Sequence, residues 1–544
     1  MLYALTAVCT FVAIGGTEAQ NMMVNPSAEQ AADNGKPEGW GSYCGAGKAK
    51  LTTTTDEKRS GKASACLELA KWYTPEGADD TPANHTINTA IVLPKNSGYD
   101  AEGALTCTPG TTYVFSFWYK GDVKSAAVRA IGWPSAEAGS SERIYHTVSG
   151  GLMRPGTEWK RATGSFRAAP DATRFALMLH AGGKQSEGFT LGKLYVDDVE
   201  ILPKAYPDGE LRAVWWGWVK AEDRGEGRKE IETSLDQLKA AGFNTLFVSA
   251  RSLFIAALDR PELQADEPRA AWDAFGQVIQ AAKKRNMQVH AWFSPWIYKR
   301  TSSAVELRDH PDWAAVNDEG VPCKRGICFI RPEVRQFELD LVAKLIDRYP
   351  DLAGIHVEEP GHSWGEYCYC DHCHQFCLKW FGIDIRKNPE AARPVVRNLA
   401  AFMSTDFFAR LRQMMMAKRP AMWLSANGSG GNNPDWRIGR DWTTWARRGY
   451  IDFYVPQLYT KSVEKFVRRG EQTRRCLGDC DLVTGMAVTW SGIYPERQDP
   501  EVIRAEISAA RKLGAKGFVV FHRNHFYDEH FHAVREAVSQ SAAP

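Results

Sequence analysis

Hydrophobic and polar positions follow two different rhythms along the chain. From residue 21 to about 203, Thr, Val, Tyr and Phe alternate with polar residues between Gly and Pro turns, as in Thr112–Tyr119. Alternation with a period of two is typical of strands that bury one face. Since no helical period of useful length interrupts it, we predict an all-β sandwich over residues 20–203.

From Leu211 onward, short apolar runs alternate with amphipathic helical stretches such as Ile231–Ala241 and Trp272–Lys284. Pro332 suits the first turn of a further helix. Eight such units over residues 211–540 predict a parallel (β/α)₈ barrel, with a doubly wound sheet as the alternative. The predicted strands are residues 211–219, 243–251, 288–295, 352–358, 421–427, 451–459, 482–490 and 515–523.

Charge and composition narrow the range of partners. The 544 residues carry a net charge of +2, which gives no reason to expect a nucleic acid and fits a neutral glycan. No window of the sequence is apolar for long enough to predict a membrane span. The 19 Trp residues are numerous. Trp rings stack on sugar rings, although they also fill protein cores.

The first 19 residues resemble a targeting segment. Met1–Gly16 are almost all apolar or small, and Thr17-Glu18-Ala19 suits signal-peptidase cleavage, although no positive charge precedes the apolar run. We predict a signal peptide over residues 1–19 and a secreted, periplasmic or cell-surface protein. A misplaced start or a buried strand is the alternative.

Two adjacent acids end the fourth predicted barrel strand, where the active sites of such barrels lie. Side chains alternate along a strand, so His356 and Glu358 should face the barrel interior while Ile355 and Val357 face the helices. Burying a carboxylate is costly unless it is paired or used. We predict that Glu358 and Glu359 are catalytic and that Glu358 is the general acid. The alternative to a catalytic role is that these glutamates form a structural salt bridge at the carboxyl end of the barrel.

Other polar and aromatic residues stand at the ends of the remaining strands. We predict that they bind the substrate, because hydrogen-bonding side chains fix sugar hydroxyls and Trp faces stack on sugar rings. They are Arg251, His290, Trp292, Trp296, His356, Asn427, Gln457, Trp490 and His522. Tyr459 joins the two glutamates as a predicted catalytic residue.

Several segments occur in the order found in glycosyl-hydrolase-like family 10, and the resemblance covers roughly residues 211–490. They are Phe243–Leu246, Met287–Trp292, Pro332–Arg335, Gly354–Glu359, Ile451–Phe453 and Pro456–Tyr459. The resemblance implies a (β/α)₈ barrel and a link to cleavage of bacterial cell-wall glycans. The acidic pair typical of this family is Asp-Asp, whereas this chain has Glu358-Glu359. Glu359-Pro360 also resembles the Asn-Glu-Pro of the large retaining-glycosidase clan, with Glu358 in place of Asn.

The second catalytic group is not evident from the sequence. The seventh strand ends at Thr489-Trp490 without an acid, and Asp452 begins its strand at the opposite face of the barrel. Three readings stay open: an inverting reaction with a distant acid such as Asp441, a substrate-assisted reaction with Tyr459 orienting an N-acetyl group, and sugar binding without cleavage. A carbohydrate esterase is a further class, but its nucleophile elbow or open metal motif is absent.

The N-terminal region resembles the jelly-roll carbohydrate-binding modules of the galactose-binding-like superfamily. Its opening Asn25–Glu29 and its closing Leu194–Ile201 carry the resemblance. In such modules the first and last strands often share a structural calcium, for which Glu29 with Asp197 or Asp198 would supply oxygen ligands. Ordinary strand-end acids are the alternative.

Eleven cysteines follow the predicted leader. Cys323 with Cys328, and Cys476 with Cys480, are close enough in sequence to form disulfides in an exported protein. Cys368, Cys370, Cys373 and Cys377 form a dense cluster that suits tetrahedral zinc. Its spacing resembles the structural zinc site of family 42 β-galactosidases. This resemblance implies that Cys368, Cys370 and Cys373 are the best-supported zinc ligands. The fourth zinc ligand is predicted to be Cys377, Cys323 or Cys328. Disulfide bonds among these cysteines are the alternative to a zinc site.

Overall fold

The structure is a computed structural model that describes residues 20–217, 224–250, 273–296, 310–362, 368–432, 434–489 and 496–540. The predicted leader, residues 1–19, lies outside the described residues. The chain divides into two compact units: a β unit that ends at Ala205 and also includes Met416–Ala421, and a barrel unit formed by the other described residues from Tyr206 onward. No helix within the described ranges is long and apolar enough to cross a membrane.

The β unit consists of two antiparallel sheets around one apolar core. One sheet has the order β1-β4-β12-β7-β10, with β5 and β8 at its sides, and the other has the order β2-β3-β13-β6-β11-β9. This arrangement confirms the predicted sandwich and is consistent with a jelly roll. The strands are β1 (Gly41–Ala46), β2 (Lys48–Thr54), β3 (Ser64–Lys71), β4 (Thr86–Leu93), β5 (Leu105–Thr106), β6 (Thr112–Gly121), β7 (Ala126–Trp133), β8 (Ile144–His146), β9 (Val148–Gly150), β10 (Leu152–Met153), β11 (Lys160–Arg167), β12 (Arg174–Lys184) and β13 (Gly192–Lys204).

The acids proposed for calcium accept hydrogen bonds within the β unit instead. The carboxylate of Asp197 accepts hydrogen bonds from the backbone N–H groups of Arg59 (2.8 Å) and Ser60 (3.1 Å). Glu29 accepts from the backbone of Lys62, and Asp198 accepts from the hydroxyl of Ser27. The group of described residues placed to share a metal consists of cysteines alone. The predicted calcium site is therefore not supported.

The barrel unit confirms all eight predicted strands. They pair in parallel in the order β20-β19-β16-β15-β14-β24-β23-β21, and β20 also pairs with β21, so the sheet closes on itself. The barrel strands are β14 (Leu211–Trp216), β15 (Thr245–Ser249), β16 (Gln288–Phe293), β19 (Gly354–Val357), β20 (Trp423–Ser429), β21 (Phe453–Gln457), β22 (Asp481–Leu482) with β23 (Thr484–Ala487), and β24 (Gly517–Phe521); β17 (Ala314–Val316) and β18 (Pro322–Ile327) form a separate hairpin.

Helices follow the barrel strands and cover the outside of the sheet. The described helices are α1 (Arg224–Ala240), α2 (Ala274–Lys283), α3 (Pro332–Arg348), α4 (Asp371–Phe381), α5 (Pro389–Lys418), α6 (Trp442–Arg447), α7 (Val463–Cys476), α8 (Pro500–Lys512) and α9 (Asp528–Ser539). Pro332 occupies the first turn of α3, as the sequence predicts, because a missing N–H costs nothing there.

The predicted alternation along β19 is confirmed. Ile355 and Val357 join the apolar cluster between strands and helices, whereas His356 lies inside the barrel with its ring centroid 4.3 Å from that of Phe247. Burial lowers the pKa of His356 well below its ordinary value, so its imidazole is neutral at pH 7. Its Nδ1 lies 2.9 Å from the Ser425 hydroxyl. The next interior position along β19 is that of Glu358.

Candidate active site

Glu358 is held by both strands that flank β19. Its carboxylate accepts hydrogen bonds from the indole Nε1–H of Trp292 on β16 and from the amide Nδ2–H of Asn427 on β20, each 2.5 Å long. Its backbone N–H donates to the carbonyl of Phe293 at 2.8 Å. The strand pairing of the barrel therefore fixes this side chain at the carboxyl end of the sheet, where barrel active sites lie.

The backbone of Glu359 does not continue the extended conformation of β19. Its φ of 38° is in the left-handed region, which costs a non-glycine residue about 1–2 kcal/mol. Two contacts hold it: its backbone N–H donates to Oδ1 of Asn427 at 2.7 Å, and its carboxylate lies 3.3 Å from the guanidinium of Arg440. The single side chain of Asn427 thus binds both adjacent glutamates, one through its nitrogen and one through its oxygen.

The hydroxyl of Tyr459 is a third polar group of the candidate active site, beside Glu358 and Glu359. Burial raises the pKa of Tyr459 well above its ordinary value, and the negative charges of Glu358 and Glu359 raise it further. Its hydroxyl oxygen is buried and has no hydrogen-bond partner in the part of the chain that the structure describes. A buried, neutral hydroxyl without a partner is unusual and is suited to a ligand that supplies one.

The other predicted substrate-binding residues lie at different depths. His290 and His356 are 0% exposed in the packed barrel interior, and Trp296 is 2% exposed against Phe329. Gln457 is half-buried at the end of β21. His522 is mostly buried, and burial lowers its pKa to about 3. Arg251 and Trp490 lie outside the described residues. Contact of these residues with a substrate stays a prediction.

Arg440 is the site residue that the sequence reasoning missed. It precedes α6, is 7% exposed and pairs with Glu359. Nothing in the local sequence distinguishes it from the other arginines, since its role follows from a contact across 81 positions of the chain.

Two other acids of the barrel unit, Asp452 and Asp441, have structural roles. Asp452 lies at the amino end of β21 and binds the guanidinium of Arg412 through both oxygens, at 2.7 and 3.1 Å. Asp441 caps α6 by accepting from the backbone N–H of Thr444. Both carboxylates are thus already engaged away from Glu358 and Glu359.

Four buried cysteines form a second centre in the barrel unit. The sulfurs of Cys328, Cys368, Cys370 and Cys373 all lie within 4.8 Å of one another. Cys328 and Cys373 are 3.4 Å apart and Cys370 and Cys373 are 3.6 Å apart. Zn–S bonds of about 2.3 Å in a tetrahedron place the sulfurs about 3.8 Å apart, so the four residues fit zinc.

Hydrogen bonds to sulfur support a metal-bound thiolate in this cluster. The backbone N–H groups of Val316 and Cys370 point at the sulfur of Cys368, at 3.3 and 3.4 Å. Such donors stabilise negative charge on a ligand sulfur. Val316 lies on the hairpin strand β17, so the cluster joins this hairpin to the start of α4.

Two predictions about the cysteines are corrected. Cys328, and not Cys377, stands as the fourth member of the cluster, and burial raises the pKa of the Cys377 thiol to about 11. The eleven described cysteines form no disulfide, including Cys476 and Cys480. Sequence proximity failed as a guide because the fold brings Cys328 to the cluster from 40 residues away.

The fold and the acidic pair define the class of protein: a parallel (β/α)₈ barrel with paired carboxylates at the carboxyl end of its fourth strand, as in glycoside hydrolases. Residues 210–477 match the family model Glycosyl hydrolase-like 10. The family model thus covers most of the barrel region, and the resemblance predicted from its motifs is confirmed.

Two curated relatives share this region. The glycosyl hydrolase YngK of Bacillus subtilis (strain 168) is 25% identical over 301 residues, which are 49% of this chain and 57% of YngK. The glycosyl hydrolase DigH of Escherichia coli (strain K12) is 23% identical over 256 residues, which are 41% of this chain and 56% of DigH. The matched segment thus spans little more than half the length of these relatives.

Two solved structures align with part of this chain at low identity. The β-galactosidase from Rahnella sp. R3 aligns with a TM-score of 0.48 and 15% identity, over 62% of this chain and 57% of that chain. The α-L-fucosidase isoenzyme 2 from Paenibacillus thiaminolyticus aligns with a TM-score of 0.45 and 17% identity, over 61% and 49% of the two chains.

Proposed function

We propose that this protein is a glycoside hydrolase that cleaves a polysaccharide or cell-wall glycan at the Glu358–Glu359 pair. The observation that carries the proposal is the pair itself: two adjacent carboxylates, each held by separate partners, beside the buried hydroxyl of Tyr459. Such groups protonate a glycosidic oxygen and stabilise the cationic transition state. Glu358 is the general acid in this proposal, and Glu359 is the member that Arg440 orients.

For the mechanism we propose a substrate-assisted reaction on a 2-acetamido sugar. The acetamido oxygen forms a bond to the anomeric carbon while the bond to the leaving oxygen breaks, and Glu358 gives that oxygen its proton. Glu359 accepts the acetamido N–H, and Tyr459 donates to the acetamido oxygen. Water then forms a bond to the anomeric carbon as the bond to the acetamido oxygen breaks, and Glu358 takes the proton of the water back. This mechanism needs no further carboxylate, and Asp441 and Asp452 are engaged elsewhere.

A test is the release of reducing ends from a glycan panel that includes peptide-free peptidoglycan strands and glycol chitin. We expect Glu358→Gln and Glu359→Gln to lose about 10²–10⁴-fold in rate, as is usual for acid–base groups. On 4-nitrophenyl glycosides, whose leaving group needs no proton, the variant lacking the acid recovers most of its rate. If recovery occurs in Glu359→Gln alone, the two roles are exchanged.

The stereochemical outcome separates the mechanisms. A substrate-assisted reaction retains the anomeric configuration, and an inverting reaction reverses it, so proton NMR of the first product decides between them. If the parent binds a glycan of the panel and cleaves none, the barrel is a non-catalytic polysaccharide-binding module and the hydrolase proposal fails.

We also propose that the protein is exported. The apolar run that ends in Thr17-Glu18-Ala19 supports this. N-terminal sequencing of the mature protein from the expressing cell tests it. A chain that begins at Gln20 in the exported fraction agrees with the proposal, and an intact Met1 contradicts it.

A further inference from the structure

A groove runs along the outside of the barrel unit, between α5 and the segment that leads into α6. It encloses a cavity of about 560 Å³. Two aromatic rings line it, Phe402 from α5 with 68% exposure and Trp436 with 53% exposure. Exposed large apolar residues that share one concave site mark a binding surface more often than scattered ones do.

The polar groups of this groove favour a ligand that carries hydrogen-bonding groups. The polar side chains of Asn398, Arg448 and Tyr450 line it. Its two carboxylates are already engaged, Asp406 with Arg335 and Asp441 with the first turn of α6. A purely apolar ligand would desolvate these groups without compensation. A sugar ring, with an apolar face for the aromatic rings and hydroxyls for the polar groups, satisfies both.

One short segment of the chain links the groove to the candidate active site. Trp436 and Arg440 belong to this short segment, in which the backbones of Asp435 and Arg440 form an antiparallel β-bridge. The segment is fixed by the backbone N–H of His362, which donates to Ile438 at 2.8 Å. Arg440 at its inner end contacts Glu359. Four residues span about 14 Å at most, so Trp436 lies within that distance of Arg440.

We propose that the groove is an outer subsite that binds one sugar ring of the glycan chain cleaved at Glu358 and Glu359. The inference rests on the proposed function and deepens it, because it assigns a polymeric substrate to the enzyme. A chain long enough to reach Phe402 and Trp436 gains affinity there, and a short glycoside that fills only the barrel mouth does not.

Kinetics of Trp436→Ala and Phe402→Ala test the proposal. The matched control is Trp380→Ala on α4, which removes a ring of 64% exposure outside the groove. On the polysaccharide of the panel that the parent cleaves best, we expect KM to rise about tenfold in each groove variant, the loss expected for one stacked ring. On a 4-nitrophenyl glycoside we expect both variants to match the parent and the control.

Two variants are needed because Trp436 shares its segment with Arg440, whereas Phe402 lies on a different element. An equal loss on both substrates, an unchanged KM on the polysaccharide, or the same rise in Trp380→Ala overturns the proposal.

Binding without catalysis separates this inference from the proposed function. In affinity gels that contain glycol chitin, hydroxyethyl cellulose or galactan, we expect the full-length parent and Trp380→Ala to be retarded more than the two groove variants. If this holds for a parent that hydrolyses nothing, the groove binds glycan and the hydrolase proposal alone fails. If the parent hydrolyses a polysaccharide but all variants migrate alike, or no gel retards the parent, the groove proposal fails.

Discussion

The guanidinium of Arg440 lies 3.3 Å from the carboxylate of Glu359, measured from Nη2 to Oε2. The Arg440 side chain is 9% exposed and that of Glu359 is 31% exposed, so the pair is only partly screened by water. Glu359 also has a left-handed backbone, and its direction therefore depends on this contact and on Asn427. The ion pair orients the second carboxylate of the proposed catalytic pair.

Removal of this ion pair should reduce activity. A hydrogen bond between charged groups contributes about 1.5–3 kcal/mol, so we expect Arg440→Met to lower kcat/KM about 10- to 100-fold, and Arg440→Lys to lower it less. In a double-mutant cycle, Arg440→Met should add little to the loss caused by Glu359→Gln. The control is Arg437→Met, because that side chain is 69% exposed on the same segment. Parent-like activity of Arg440→Met would show that the pair has no functional role.

Tyr459→Phe should separate stability from activity. The buried hydroxyl has no partner among the described residues, so its removal should leave the free energy of unfolding unchanged or raise it by about 1 kcal/mol. Activity should fall at least tenfold if the hydroxyl binds substrate. Tyr454→Phe is the counterpart, because its hydroxyl donates to the carbonyl of Ser429 at 3.0 Å and its loss should destabilise the protein. Urea denaturation with parallel rate measurements checks this, and a fully active Tyr459→Phe contradicts the proposed role.

The cysteine cluster should hold close to one zinc per chain through Cys328. Cys328 and Cys377 are both 0% exposed, but only Cys328 shares the cluster. We expect Cys328→Ser to lose zinc and to unfold at lower denaturant, and Cys377→Ser to keep both properties, since metal binding contributes folding free energy. Elemental analysis of purified protein measures the metal. Zinc that is lost from Cys377→Ser and retained by Cys328→Ser would reverse the assignment.

Glu506 should make the protein less stable as the pH rises. This residue on α8 is 1% exposed, neither carboxyl oxygen has a hydrogen-bond partner in the described chain, and burial raises its pKa to about 9. The folded state holds the proton that the unfolded state releases above about pH 4.5. The contribution of Glu506 to stability is therefore fully present below that pH and is lost progressively up to about pH 9.

Glu506→Gln removes this titration. We expect the variant to match the parent near pH 4.5 and to exceed it by a few kcal/mol at pH 8.5, because each unit of pKa difference corresponds to about 1.4 kcal/mol. Denaturation at the two pH values measures the difference, with the exposed Glu471→Gln as control. A stability difference that does not grow with pH would mean that the buried carboxyl has found a partner.

Local patterns in the sequence determined the architecture of this protein. The period of two in the β unit, the eight apolar runs of the barrel and the facing of His356 and Glu358 all follow from burial of one strand face, which is a property of neighbouring residues. The glutamate pair and three of the four clustered cysteines were recognisable for the same reason, since each group is close together in sequence.

Only the tertiary structure decided which distant residues complete these groups. Arg440 reaches Glu359, Cys328 joins the cysteine cluster, and Phe402 and Trp436 share a groove because closure of the barrel brings separate elements together. Glu506 occupies a helical position whose burial depends on neighbouring helices. Hydrophobic periodicity specifies which face of an element is buried, but not which residue of another element it meets, because that partner is fixed by strand register and helix packing across the whole barrel.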